Sequence, residues 1–246
     1  AFPTLARMVS EGNLSSFVTQ VVTASRHILF WSVPAIGLMV VLRAHLVRTV
    51  LGSGAFDWTD TRLTAASFAF FAVSLAASAL SLLIIRAYYA AGRSFMPLAV
   101  SLIVGVVSVG LALFLVSSSA EGVARFFLES LLRVEEVPGT SVLLLPFASS
   151  FATILGAIAF VVLFEKHFGG LVSGLSRIFW ESLTAAGLGA AGAYAVLSLL
   201  GGIGEATTLF SVMYHGTIAG LVGLAGSAMV YWFFGSPELK EALATM

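Results

Sequence analysis

The chain has 246 residues, of which 59% are hydrophobic and only 10% charged, and its 12 basic residues balance 12 acidic ones. A soluble domain carries roughly 25% charged residues, so this composition excludes an ordinary water-soluble globule, and the absence of a basic block argues against nucleic-acid binding. There is no cysteine, which removes disulfides, thiolate catalysis and Cys-ligated metals together.

Five runs without a formal charge follow one another: Leu63–Ile85 (23 residues), Leu98–Val116 (19), Val137–Phe164 (28), Ser182–Gly204 (23) and Thr208–Phe234 (27, with His215 inside). A sixth, Ile28–Leu42, extends past Arg43 and His45 toward Leu51. A helix needs about 20 apolar residues to cross a hydrocarbon core of ~30 Å, and in lipid a chain must satisfy its own backbone polar groups. No period-2 alternation suggests a barrel. The fold class expected is therefore an all-α integral membrane bundle of six transmembrane helices.

In chain order, residues 1–25 read as an amphipathic cytoplasmic lead-in. Leu14, Phe17, Val18, Val21 and Val22 fall at helical spacing, with Arg7, Glu11, Gln20 and Arg26 supplying polarity. The start at Ala1-Phe2-Pro3, inside an apparent motif and without the features of a signal peptide, leads us to expect a piece of a longer protein. Residues 26–164 hold four spans. The first carries Pro34, a predicted kink, and ends at a Gly52-Ser53-Gly54 turn, a predicted hinge. Between the second and third spans lies Arg86-Ala87-Tyr88-Tyr89-Ala90-Ala91-Gly92-Arg93, closed by Pro97; arginine and tyrosine suit the headgroup level. Residues 121–136 predict an amphipathic helix on the membrane surface. Val123, Phe126, Phe127, Leu131 and Val134 line one face, and Glu121, Arg125, Glu129 and Arg133 alternate in sign at i,i+4 on the other. Residues 165–235 hold the last two spans and 236–246 a cytoplasmic tail. Seven Lys and Arg on the side of the termini against five on the other place both termini in the cytoplasm.

Gly187-Leu188-Gly189-Ala190-Ala191-Gly192 spells a dinucleotide fingerprint, but it lies inside an apolar helix with no strand before it, so it carries no such function. Its glycines, like Gly216, Gly220 and Gly223, either let a second helix approach closely or admit a lipid chain. Glu181 stands one turn after Arg177, as expected of an interfacial ion pair, and His215 is expected to form a helix–helix hydrogen bond. No nucleophile elbow, phosphate loop or metal-ligand spacing occurs, so the sequence offers no case for an enzyme, a metal site or a cofactor.

Three segments carry a resemblance. Phe2-Pro3-Thr4-Leu5, Leu51-Gly52-Ser53-Gly54-Ala55-Phe56, and Arg86-Ala87-Tyr88-Tyr89-Ala90 followed by Pro97 resemble, in order and spacing, elements of the MurJ/MviN lipid II flippase family of the MOP exporter superfamily. Ala6 stands in place of that family's usual Ser and Leu51 in place of its Phe, while Ser108 and Ala112 stand where it often carries Asn. The resemblance implies the last six of fourteen spans, in a bacterial inner-membrane protein. Its two lobes alternate access to move the undecaprenyl-linked peptidoglycan precursor, and the partners implied are membrane lipids and an N-terminal lobe. It further implies a headgroup-handling role for Arg86, Tyr89 and Arg93. A groove for the polyprenyl tail falls over roughly 183–200 and 208–234, with Gly192, Gly216 and Gly220 facing it. A non-transporting membrane scaffold, and a polysaccharide or multidrug exporter of the same superfamily, remain the alternative readings.

Overall fold

Long apolar segments without internal charge can only hide their backbone polar groups as helices, and helices are what the chain forms. A computed structural model describes residues 2–52, 56–117, 120–201 and 208–244, and among these no strand occurs. The elements are α1 (Phe2–Ser10), α2 (Leu14–Leu51), α3 (Trp58–Ala90), α4 (Phe95–Ser117), α5 (Ala120–Leu132), a 3-10 turn (Thr140–Leu143), α6 (Leu144–Phe168), α7 (Leu171–Leu200), α8 (Leu209–Phe234) and α9 (Pro237–Ala244). Six of them are long and apolar enough to cross a membrane: α2, α3, α4, the 3-10 turn with α6, α7 and α8. The six-span all-α bundle expected from the sequence is the fold.

The helices pack as two groups that share α2. On one side α2, α7 and α8 touch one another; on the other α2 packs on α3, α3 on α6, and α6 on α4. Small side chains let the backbones approach in the absence of a hydrophobic drive: Ala65, Ala69 and Ala72 on α3, Ala148, Ala152 and Gly156 on α6, and Ala185, Gly189 and Ala193 on α7 are all buried. Large apolar side chains point outward instead. Along α4, Leu102, Ile103, Val106 and Leu113 are each more than 60% exposed, a surface that suits lipid and not water.

Two boundaries differ from expectation. The lead-in is not one surface helix. The chain breaks at Gly12, and Asn13 caps a new helix by accepting from the Ser16 N–H at 3.1 Å. Residues 14–25 are thus the first turns of α2, which at 38 residues is about 57 Å long. Phe17 and Val21 are fully buried there, and the Phe17 ring lies 5.3 Å from Phe168 and 6.3 Å from Phe164. That aromatic contact holds the segment against α6. The second difference is in the surface helix, which ends at Leu132 and does not include Arg133 or Val134. Arg133 turns left-handed (φ 56°), and the Val134 N–H bonds the Glu129 carbonyl at 2.9 Å, a capping arrangement that reverses the chain. It carries Val134 and Val137 into a core with Leu128, Leu143 and Leu144. The expected Arg125–Glu129 ion pair is present at 3.3 Å, and Val123, Phe126, Phe127 and Leu131 form an uncovered apolar stripe.

Candidate functional site

At the end of α3 the Arg-flanked loop has two faces. Ile84, Ala87 and Tyr88 are fully buried, while Arg86, Tyr89 and Arg93 are exposed. Tyr88, not Tyr89, anchors the turn: its hydroxyl is hydrogen-bonded to His167 Nδ1 at 3.0 Å, and its ring packs edge-on against Phe164 and Phe168. The reversal into α4 passes through Gly92 at φ 72°, a conformation in which a Cβ would be strained. Arg93 then lies over the Phe168 ring, 5.6 Å from its centroid. Arg86 makes no hydrogen bond or ion pair among the described residues, so its donors are open. The anchor Tyr88–His167 was missed in the sequence because its partner comes from the far end of α6.

Pro34 is buried within an α2 that continues on both sides of it. Lacking an N–H, it leaves the Phe30 carbonyl without its usual intrahelical donor. The Tyr231 hydroxyl of α8 supplies one at 2.9 Å, and is itself hydrogen-bonded to Ser182 Oγ of α7 at 2.9 Å. One hydroxyl thus joins three helices. Just beyond, Glu181 is almost fully buried, accepting from Arg177 Nε and Ser236 Oγ at 2.5 Å each, while Arg177 Nη2 reaches the Phe234 carbonyl. The ion pair expected of Glu181 is formed and fastens the ends of α7 and α8. Arg26 and Glu238 do the same for α2 and α9 at 2.7 Å.

At the other end of α2, Gly52 donates its N–H to the Arg48 carbonyl, and a Cβ at Gly52 would sit 2.2 Å from that oxygen. Close approach, not a left-handed backbone, requires glycine here. Gly54 lies outside the described residues.

The glycines of the last two spans separate by what they touch. On α8, Gly216, Gly220 and Gly223 face His45, Leu42 and Leu38 of α2 in turn, at 3.2, 3.4 and 2.3 Å from an ideal Cβ. On α7, Gly189 meets the Gly223 carbonyl at 2.7 Å, whereas Gly192 has only Val222 at 3.8 Å and Gly187 nothing within 4 Å. Gly216 also borders a cleft of about 230 Å³ between α2 and α8, with Leu46, Thr49, Val50 and Met213. The helix–helix hydrogen bond expected of His215 is not formed: its Nδ1 is buried without a partner, and the ring nitrogens of His45, the α2 residue against the neighbouring Gly216, are unpaired as well. Among the described residues no group of His, Asp and Glu could hold a metal ion.

Six apolar helices, small-residue contacts between them and an apolar exterior define a polytopic membrane protein. A family model described as lipid II flippase MurJ matches residues 1–214, and the chain belongs to that family. The match runs from α1 into the first turns of α8. No curated protein and no solved structure matches the chain significantly.

Proposed function

We propose that the chain forms the C-terminal part of a flippase that moves the lipid-linked peptidoglycan precursor across the bacterial inner membrane by alternating access. The family match over residues 1–214 carries this reading. The physical chemistry supports it. A diphosphate-sugar headgroup cannot cross hydrocarbon unaided, since each unpaired polar group costs several kcal/mol, so a flippase needs a polar path for the head and an apolar surface for the tail. Spans α7 and α8 supply apolar surface, with Gly192 along it and Gly216 at the cleft against α2, while Gly220 packs on Leu42. The exposed Arg86, Tyr89 and Arg93 suit the headgroup level at the α3–α4 turn. The excess of Lys and Arg on the side of the termini, seven against five, supports a cytoplasmic position for that turn and for both ends of this chain.

Six helices form one wall of a cavity, and rocking requires two bodies. Residues 1–246 alone are therefore expected not to rescue growth of a flippase-depleted bacterium, whereas a version joined to a complete N-terminal lobe rescues it. Growth on the six spans alone would end the two-lobe reading. At the α3–α4 turn, arginine offers phosphate a bidentate fork that lysine lacks. Arg86→Ala is expected to slow translocation more than Arg86→Lys at equal expression. Equal rates for all three versions would reduce the turn to a topological anchor.

A further inference from the structure

At the end of the bundle opposite the chain termini, three arginines from three separate elements surround one cavity. It has a volume of about 420 Å³ and lies between the last turns of α2 and α7, the start of α3 and the end of α5; Arg43, His45, Trp58, Arg62, Arg133 and Tyr194 line it. None of the three arginines forms an ion pair among the described residues. Arg43 and Arg62 are instead steered by backbone carbonyls. Arg43 donates to Val40 O at 2.9 Å and Leu132 O at 3.5 Å, and Arg62 to Arg133 O at 2.6 Å. A guanidinium has five N–H donors, so most of theirs remain open. We propose that this cavity is a binding site for a phosphate group, presented on a lipid headgroup or as a soluble anion.

Three further observations point the same way. His45 is only 7% exposed, yet neither of its ring nitrogens has a hydrogen-bond partner. A buried polar group is stable when something completes it, and an anion in the cavity would. Second, Arg133 is the sole non-glycine residue with positive φ among the described residues. Glycine takes that capping position without steric cost, so the position holds an arginine side chain where the backbone would prefer none. Third, like charges converging at the edge of a low-dielectric region repel unless a counter-charge enters. Glu135 and Glu136 line an adjoining cavity of about 240 Å³ with Arg62 and Arg133 but pair with neither.

Phosphate is the anion that fits best. Arginine pairs recognise its oxygens through parallel N–H donors, and the exposed Trp58 and Tyr194 set the cavity at the level where amphipathic rings meet headgroups. Val41 and Leu197 continue the lining as apolar surface, suited to the start of an acyl chain. The site is independent of which lipid the protein transports, so it stands or falls apart from the flippase reading.

The experiment uses the complete protein in nanodiscs of phosphatidylcholine, to which phosphatidylglycerol or inorganic pyrophosphate is added, with retention read by native mass spectrometry. Removing one charge-assisted contact is expected to weaken retention by about tenfold or more, so Arg43→Gln with Arg62→Gln should lose most bound phosphatidylglycerol. Because that pair of changes could also disturb the fold, Arg133→Gly is the decisive variant. It suits the left-handed backbone, so its melting temperature should hold or rise while its anion binding falls. Glu135→Gln with Glu136→Gln should strengthen binding. Retention of phosphatidylglycerol that pyrophosphate does not displace identifies a lipid headgroup, and displacement identifies a soluble phosphate; either supports the site. Binding of both probes at wild-type strength in Arg133→Gly and in the Arg43/Arg62 variant, or no binding by the wild type, would overturn it.

Discussion

Gly189→Ala is expected to lower the melting temperature of the protein, while Gly187→Ala, two residues earlier on α7, leaves it unchanged or raises it. In a helix interior alanine is favoured over glycine by about 1 kcal/mol, so both substitutions start from a small gain. What they meet decides the sign. A Cβ at Gly187 has nothing within 4 Å. At Gly189 it would lie 2.1 Å from Ser227 Oγ and 2.7 Å from the Gly223 carbonyl. The serine could rotate only by giving up its bonds to the Ala185 and Gly223 carbonyls at 3.0 and 3.1 Å, and the carbonyl belongs to the backbone of α8 and cannot rotate. The two helices must separate, at a cost of about 1–3 kcal/mol typical of overpacking. Adding Ser227→Ala removes one clash and leaves the other, so it should not restore stability. Gly223→Ala, whose Cβ meets the Gly189 carbonyl at 2.8 Å, should behave like Gly189→Ala. Gly192→Leu is the functional counterpart: with only Val222 nearby at 3.8 Å, it should keep the fold while obstructing an apolar tail on that surface. The comparison is thermal unfolding in one detergent, with lipid translocation scored for the variants that fold. If Gly189→Ala melts no lower than Gly187→Ala, the α7–α8 crossing is not set by these glycines.

The same glycines mark where sequence reasoning stopped. Gly187, Gly189 and Gly192 are equivalent as letters in one apolar helix, and only the position of α8 makes Gly189 a contact and Gly187 a bystander. The spans themselves were legible, because a run of 19 to 28 residues without charge has one structural solution in lipid. Faces were not, since lipid and protein are both apolar and the helices carry little polar patterning to tell one from the other. Local chemistry near charges read better. The Arg125–Glu129 and Arg177–Glu181 pairs are present as the i,i+4 spacing predicts. Where local spacing met a tertiary pull, the pull won: Phe17 draws residues 14–25 into α2, and Val134 draws the end of the surface helix into the core. Of the cavity arginines, Arg43 was visible near the end of the first span and Arg133 on the charged face of the surface helix, each as a single charge. Arg43, Arg62 and Arg133 stand on three elements, and no spacing rule in one dimension brings them together. The capping box of Asp57 and Asp60 was readable in principle, as two acids three residues apart before an apolar run.

The largest effect of a single atom is expected at the Tyr231 hydroxyl. Tyr231→Phe keeps the ring, which lies 4.3 Å from Phe30, and removes the donor to the Phe30 carbonyl and the partner of Ser182. Both groups are then left unsatisfied in a buried, low-dielectric place, which costs about 1–3 kcal/mol for a stranded polar group. The cause of the cost is Pro34, which cannot donate to Phe30 as any other residue at that position would. Pro34→Ala restores an N–H four residues from the carbonyl, so the helix can complete its own bond. Tyr231→Phe should therefore cost less in the Pro34→Ala background than in the wild type, and the difference, measured as a double-mutant cycle of unfolding free energies, is the coupling between proline and hydroxyl. Ser182→Ala separates the two halves of the network: it removes only the second partner and should be milder than Tyr231→Phe. A Tyr231→Phe penalty of equal size in both backgrounds would mean that the hydroxyl does not serve the carbonyl that proline exposes, and that α8 is held to α2 at this level by ring packing alone.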